Sequence, residues 1–254
     1  MKTILAGSLS ICLFLSTSAN AWTLVSPNLQ GWANHNIVVH YNFSACGVDA
    51  EQMLGRLDLA IAAWNKTSGS NLSVSRPATA SSSTAADFLA GTTTNVPLVV
   101  CDQSFATSNS VDADFIPAAT RLSMPTGRIE YGGVLLNAEA SGAASMANLS
   151  EEQIIVTLAH ELGHVFGLGH SSSNAALMYY SINDKVSPIV TEDDLDGVAF
   201  LYPRNEFSGG MFGCSFVPAK GTSMPWPLAV GFLSFIWISV ALGRSMRITS
   251  ERLL

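Results

Sequence analysis

Hydrophobic positions recur along this chain in several distinct rhythms. Residues 1–21 open on Lys2, run through Ile4-Leu5-Ala6 and Ile11-Cys12-Leu13-Phe14-Leu15, and close on Ala19-Asn20-Ala21. A charged start, a short apolar run and an A-x-A end predict an export leader cut after Ala21, the apolar run being too short to span a bilayer comfortably. Ile37-Val38-Val39-His40-Tyr41 is a β-branched, aromatic run and predicts a strand. Met53, Leu54, Leu57, Leu59, Ala60, Ile61, Ala63 and Trp64 recur at helical spacing after Asp49, with Gly69 beyond the end. Residues 77–94, mostly Pro, Ala, Ser and Thr, predict a surface loop. Val96–Val100 predicts a second strand and Arg128–Asn137 a third, with Gly132-Gly133 marking a bulge or kink. Ser150-Glu151-Glu152-Gln153 is a capping box that starts a helix through Ile154, Ile155, Leu158 and His164. Thr191-Glu192-Asp193-Asp194 starts a last helix to about Tyr202, where Pro203 stops it. Strand, helix, strands, helix, helix predicts an α+β domain over residues 22–203, without internal repeats.

Beyond it the rhythm changes. Residues 204–224 predict a linker, and Pro225 to Leu242 is eighteen residues without a charge. At a helical rise these extend about 27 Å, enough for a thin hydrocarbon core. A membrane helix over 225–243 would leave the basic tail 244–254, with Arg244, Arg247 and Arg252, on the cytoplasmic side and the domain outside. A core helix packed through Trp226 and Trp237 is the alternative.

Charge sharpens this organisation. Of the 254 residues 12% are charged, about half the usual share, while 48% are hydrophobic, which excludes disorder driven by charge. Residues 22–203 hold six basic and 17 acidic residues. So acidic a segment repels a phosphate backbone, and nucleic acid is not an expected partner. Cys46 and Cys101 are the cysteine pair inside the predicted domain, and in an oxidising compartment they are expected to join. Cys214 falls in the linker.

The chemistry concentrates in residues 160–170, which read H-E-L-G-H-V-F-G-L-G-H. His160 and His164, four apart on a helix, project from one face where both imidazoles can reach one zinc ion. Glu161 beside them suits a general base that takes a proton from water. Gly167 lets the chain leave the helix with φ > 0 and turn back, so that His170 delivers a third imidazole. Three neutral histidines leave a coordination position open, the mark of a catalytic rather than a structural zinc.

These residues resemble the metzincin zinc proteases and, within them, the matrixins, the matrix-metalloproteinase type. The resemblance covers roughly residues 30–203 and is most specific from His160 to Ser171 and at Ala176-Leu177-Met178-Tyr179. It implies a twisted mixed sheet, a long active-site helix and a C-terminal helix beginning near Thr191. It also implies a methionine, Met178, in the turn beneath the zinc, and an edge strand at Gly132–Asn137 along which substrate lies extended. Tyr180 matches a tyrosine near the metal in astacin- or serralysin-like enzymes, where it supports the oxyanion; a tyrosine packed in the turn is the other reading. Departures are equally visible. His35 and His40 are the remaining histidines, so the second, structural zinc of vertebrate matrixins is not expected. Asn137 stands where that family often has histidine, and a thiolate-based latency segment is not expected either.

Ser208-Gly209-Gly210-Met211-Phe212-Gly213-Cys214, an apolar helix and terminal arginines together resemble bacterial C-terminal sorting tags. That resemblance implies a processing peptidase acting near Cys214; a plain membrane anchor is the alternative. The sequence thus predicts an exported, membrane-tethered zinc endopeptidase acting on peptide or protein substrates, at the cell surface or in the periplasm. The rival is a catalytically idle binding or adhesion module on the same fold. Calcium is compatible with the acidic surface, but no EF-hand-like loop supports it.

Overall fold

The run read as the first strand serves two partners in turn. In the computed structural model, which describes residues 21–66, 69–91 and 96–204, its first half, β1 (Asn36–Val38), pairs parallel with β3 (Ser73–Ser75). Its second half, β2 (His40–Asn42), pairs parallel with β4 (Leu98–Asp102). β4 continues parallel to β6 (Tyr131–Asn137), which pairs antiparallel with β5 (Ala118–Ser123). The strands thus form a two-stranded sheet, β1 with β3, and a four-stranded sheet in the order β2, β4, β6, β5, with β5 at a free edge. β4 is buried along its whole length and β6 along nearly all of it, as strands flanked on both sides must be.

Two long helices pack together. In α1 (Ala50–Trp64), Asp49 caps the start by accepting from Gln52 N at 3.0 Å. In α4 (Glu151–Phe166), Ser150 and Gln153 form the expected reciprocal box. Trp64 joins them: its Nε1 donates to Ala159 O at 2.8 Å and its ring meets Phe166 edge-on at 5.5 Å. Short helices α2 (Ala85–Leu89) and α3 (Phe105–Asn109) flank the sheet, and α5 (Glu192–Leu201) closes the domain. The α+β class and a mixed sheet with helices are as expected.

Several local readings need correction. Gly132–Asn137 is not the edge: β6 lies between β4 and β5, and the edge is Ala118–Ser123, a strand that the hydropathy pattern did not reveal. Nor do Gly132 and Gly133 mark a bulge, because the β5–β6 register runs through them unbroken. They permit close approach instead: a Cβ on Gly133 would collide with Leu98 O, and one on Gly132 with the Leu122 side chain. The loop read over 77–94 contains α2, held by a Thr84–Asp87 capping box and by Phe88, buried and stacked on Tyr131 at 5.2 Å. Cys46 and Cys101 are joined, Cα atoms 5.0 Å apart, tying the loop after β2 to β4. Among the described residues no helix is long and apolar enough to cross a membrane. Apart from Ala21 and Arg204, the expected leader (1–21), linker with Cys214 (204–224), membrane helix (225–243) and basic tail (244–254) lie outside the described residues.

Candidate metal centre

Helix α4 presents His160 and His164 on one face, and its C-terminal turn brings the third histidine back. Gly167 takes φ 108°, its N–H donates to His164 O at 2.9 Å, and Leu168 N donates to Gly163 O at 3.0 Å. This paired closure is the glycine-dependent helix stop that reverses the chain. A Cβ at position 167 would also sit 2.7 Å from Leu29 Cδ2. The returning segment is then strapped from outside. Val25 N donates to Gly167 O (3.0 Å), Gly169 N to Thr23 O (2.8 Å) and Thr23 Oγ1 to His170 O (2.8 Å). His170 is thereby held opposite α4.

The ring nitrogens are sorted by carbonyl partners. His160 Nδ1 lies 2.8 Å from Leu177 O and His164 Nδ1 2.7 Å from Leu168 O. A carbonyl can only accept, so both Nδ1 atoms carry the proton and both Nε2 atoms keep a lone pair. Ligand atoms of His160, His164 and His170 lie within 4.8 Å of one another. His164 Nε2 and His170 Nε2 are 3.2 Å apart. Two nitrogens on a tetrahedral zinc at normal bond length would be about 3.3 Å apart. The donor set, and the spacing of this pair, fit zinc. Burial pushes the His160 pKa down to about 4 against the opposing pull of Glu161, and burial lowers that of His170 as well. Near neutral pH these rings are neutral, the form that binds a metal.

Glu161, 8% exposed, faces the same cleft. The cleft has a volume of about 510 Å³ and is bordered by β5 residues Ala118–Thr120 and by Tyr180–Asn183. Thr120 Oγ1 donates to Glu161 Oε2 at 2.6 Å. A smaller side pocket of about 210 Å³ adjoins past Ile182 and Asn183 and is lined in part by Asp114, Gln153 and Thr157. An apolar groove of about 530 Å³ between α1, α4 and residues 186–190 lies away from the histidines, and among the described residues no metal-ligand cluster converges there.

Beneath the histidines Met178 is buried against Gly163, where a Cβ would run into its Sδ. Tyr180 does not pack in the turn: it is 68% exposed, lines the cleft and rests on Tyr179, ring centroids 4.4 Å apart. Three supporting residues escaped the motif-based reading. Asp194, fully buried, accepts from Leu177 N (2.8 Å), Met178 N (3.0 Å) and Thr191 Oγ1 (2.8 Å), so the start of α5 holds the methionine turn. Asp193 accepts from Ala21 N and Trp22 N, both at 2.9 Å, and from Ser171 Oγ at 2.7 Å. Thr120 is the third. The signal for Asp194 was the Thr-x-x-Asp box, which reports a cap and not a long-range partner, and Asp193 showed only as an acid in the same first turn. Asn137 proves to be a clamp: its buried Nδ2 donates to Ala113 O (2.8 Å) and Ile116 O (3.0 Å), fixing the loop whose Phe115 and Ile116 border the cleft.

Comparison with known proteins agrees with this geometry. A family model described as Matrixin matches residues 32–203. Metalloendoproteinase 1 of Glycine max is 47% identical over 47 residues, 18% of this chain and 15% of that protein. Neutrophil collagenase of Homo sapiens is 34% identical over 73 residues, 28% of this chain and 15% of that protein. Matrix metalloproteinase-18 of Xenopus laevis is 31% identical over 88 residues, 29% of this chain and 19% of that protein. The aligned stretches span less than a fifth of each relative's own length.

Proposed function

The chain belongs to the matrixin family, and on that footing we propose that it is a zinc-dependent endopeptidase. The observation that carries the reading is the convergence of three imidazoles beside Glu161 in an open cleft bordered by a free strand edge. His160, His164 and His170 would hold the zinc. When bound, it supplies Lewis acidity, polarising the scissile carbonyl and acidifying water. Glu161 takes a proton from the attacking water at a carboxylate oxygen and passes it to the leaving amine nitrogen. The edge of β5 aligns an extended peptide by adding it as one more strand. Tyr180 is assigned to substrate contact, since its ring stands exposed at the rim of the cleft. The side pocket, with apolar walls and the polar Asp114, Gln153 and Thr157, suits a side chain with an apolar stem and a polar end.

The two ends of the chain set the location. We read residues 1–21 as an export leader and 225–243 as a membrane tether, with processing near Cys214, supported by hydropathy and charge pattern alone. The decisive experiment on the activity is proteolysis of casein by the purified chain, with and without a zinc chelator. Glu161→Gln should keep about one zinc per chain by metal analysis and lose about 100-fold or more of the hydrolysis, because the base goes while the ligands stay. Near-normal turnover in that variant overturns the mechanism.

A further inference from the structure

Glutamate side chains on helices are free to change rotamer unless something outside the helix holds them. α4 fixes the Cα–Cβ direction of Glu161 and nothing further along its three torsions, so a carboxylate that must meet one water molecule at one place gains from a tether. Thr120 supplies that tether. Thr120 Oγ1 donates to Glu161 Oε2 at 2.6 Å, with Glu161's own carbonyl oxygen a more distant 3.2 Å from the same hydroxyl. A threonine hydroxyl has one proton to give, and the ionised carboxylate is the stronger acceptor. Among the described residues nothing else hydrogen-bonds the Glu161 carboxylate. One oxygen is therefore held by Thr120, and the other is left for a water molecule.

The location of Thr120 adds to this. It sits in β5, opposite Val134 of β6, on the strand that forms the free edge of the sheet and borders the cleft. A peptide laid along that edge takes its register from β5. Through Thr120 the base takes its aim from the same strand. We propose that Thr120 is a positioning residue that fixes the carboxylate of Glu161 relative to the substrate-aligning edge. This deepens the endopeptidase reading and rests on it. Thr120 touches neither the reacting atoms nor the three imidazoles in this assignment; it acts through Glu161.

The test uses the full chain loaded with zinc. Its substrate is one fluorogenic peptide, designed on a bond that the wild type cleaves in casein. Thr120→Val keeps the branched shape and strand preference and removes the hydroxyl; Thr120→Ser keeps the hydroxyl; Thr120→Ala gives the same readout should the valine variant not fold. The expected result is a fall in kcat of about tenfold or more in the valine and alanine variants. KM should stay within about twofold and zinc content should not change, because a lost aim acts on the chemical step and not on ground-state binding. The serine variant should recover most of kcat. A kcat in Thr120→Val equal to wild type overturns the assignment, as does a loss that appears only in KM or one that serine fails to restore. A wild-type chain without chelator-sensitive cleavage overturns the endopeptidase reading itself, and the assignment falls with it.

Discussion

At the scale of single residues, burial decides what the histidines can do. His160 is 4% exposed, and desolvation is the main cause that brings its pKa down to about 4. The unfolded chain would titrate this group near 6.5, so below that pH it binds a proton that the folded metal-free domain refuses. The sign follows: a more protonated unfolded state makes stability rise with pH, and stability is lost as pH falls from about 6.5 towards 4. Chelator-treated protein should therefore unfold at lower urea concentration at pH 5 than at pH 7, by roughly 1–2 kcal/mol from this group. Equal midpoints at the two pH values would show that the imidazole is not desolvated as described. The motif made these rings visible from the sequence. It said nothing of Leu177 O and Leu168 O, which choose the tautomers, because those carbonyls meet the rings only after the chain has turned.

At the scale of elements, the long amphipathic helices were legible and the short or edge elements were not. α1 and α4 repeat apolar residues at helical spacing and carry their caps in sequence, so period and punctuation agree. β5 has one fully buried position in six and owes its extended form to the ladder with β6, a partner that hydropathy does not name. β3, three residues long, is likewise a product of its pairing with β1. Gly163 shows how packing can reverse a local rule. In an exposed helix, alanine in place of glycine would gain about 1 kcal/mol. Here a methyl group must displace Met178 and the edge of Trp64, whose Cζ2 would lie 2.8 Å away. Gly163→Ala is expected to destabilise the domain by about 1–3 kcal/mol in denaturant unfolding. A stabilised variant would mean that the methionine turn is not packed as described.

At the scale of the whole molecule, the two ends of the domain are tied to each other beside the histidines. Residues 21–25 strap the His170 segment, and Asp193 at the start of α5 collects Ala21 N, Trp22 N and Ser171 Oγ. Trp22 also packs on Phe200 with ring centroids 5.2 Å apart. Removal of a leader after Ala21 would turn the Trp22 N–H into an ammonium facing the Asp193 carboxylate. On the proposed leader reading, intact mass of the protein recovered from its host should place Trp22 first. In that mature form Asp193→Ala should lower the thermal midpoint by roughly 2–6 °C, the scale of one partly buried charged contact in a domain this size. An unchanged midpoint would leave the strap without energetic weight.

The sequence by itself determined the α+β class, the two long helices, the disulfide partners and the set of three histidines with their glutamate. The disulfide follows from Cys46 and Cys101 being the cysteine pair within the domain; the others follow from short-range facts: helical period, caps, an i, i+4 spacing and a glycine where a helix must stop. Tertiary structure decided the rest. It made Ala118–Ser123, not Gly132–Asn137, the free edge, because strand order depends on which strands meet across long loops. It brought Thr120 to Glu161 across 41 residues and Asp194 to Met178 across 16. A polar side chain records its own chemistry in the sequence, but its partner is chosen by the fold that buries them together.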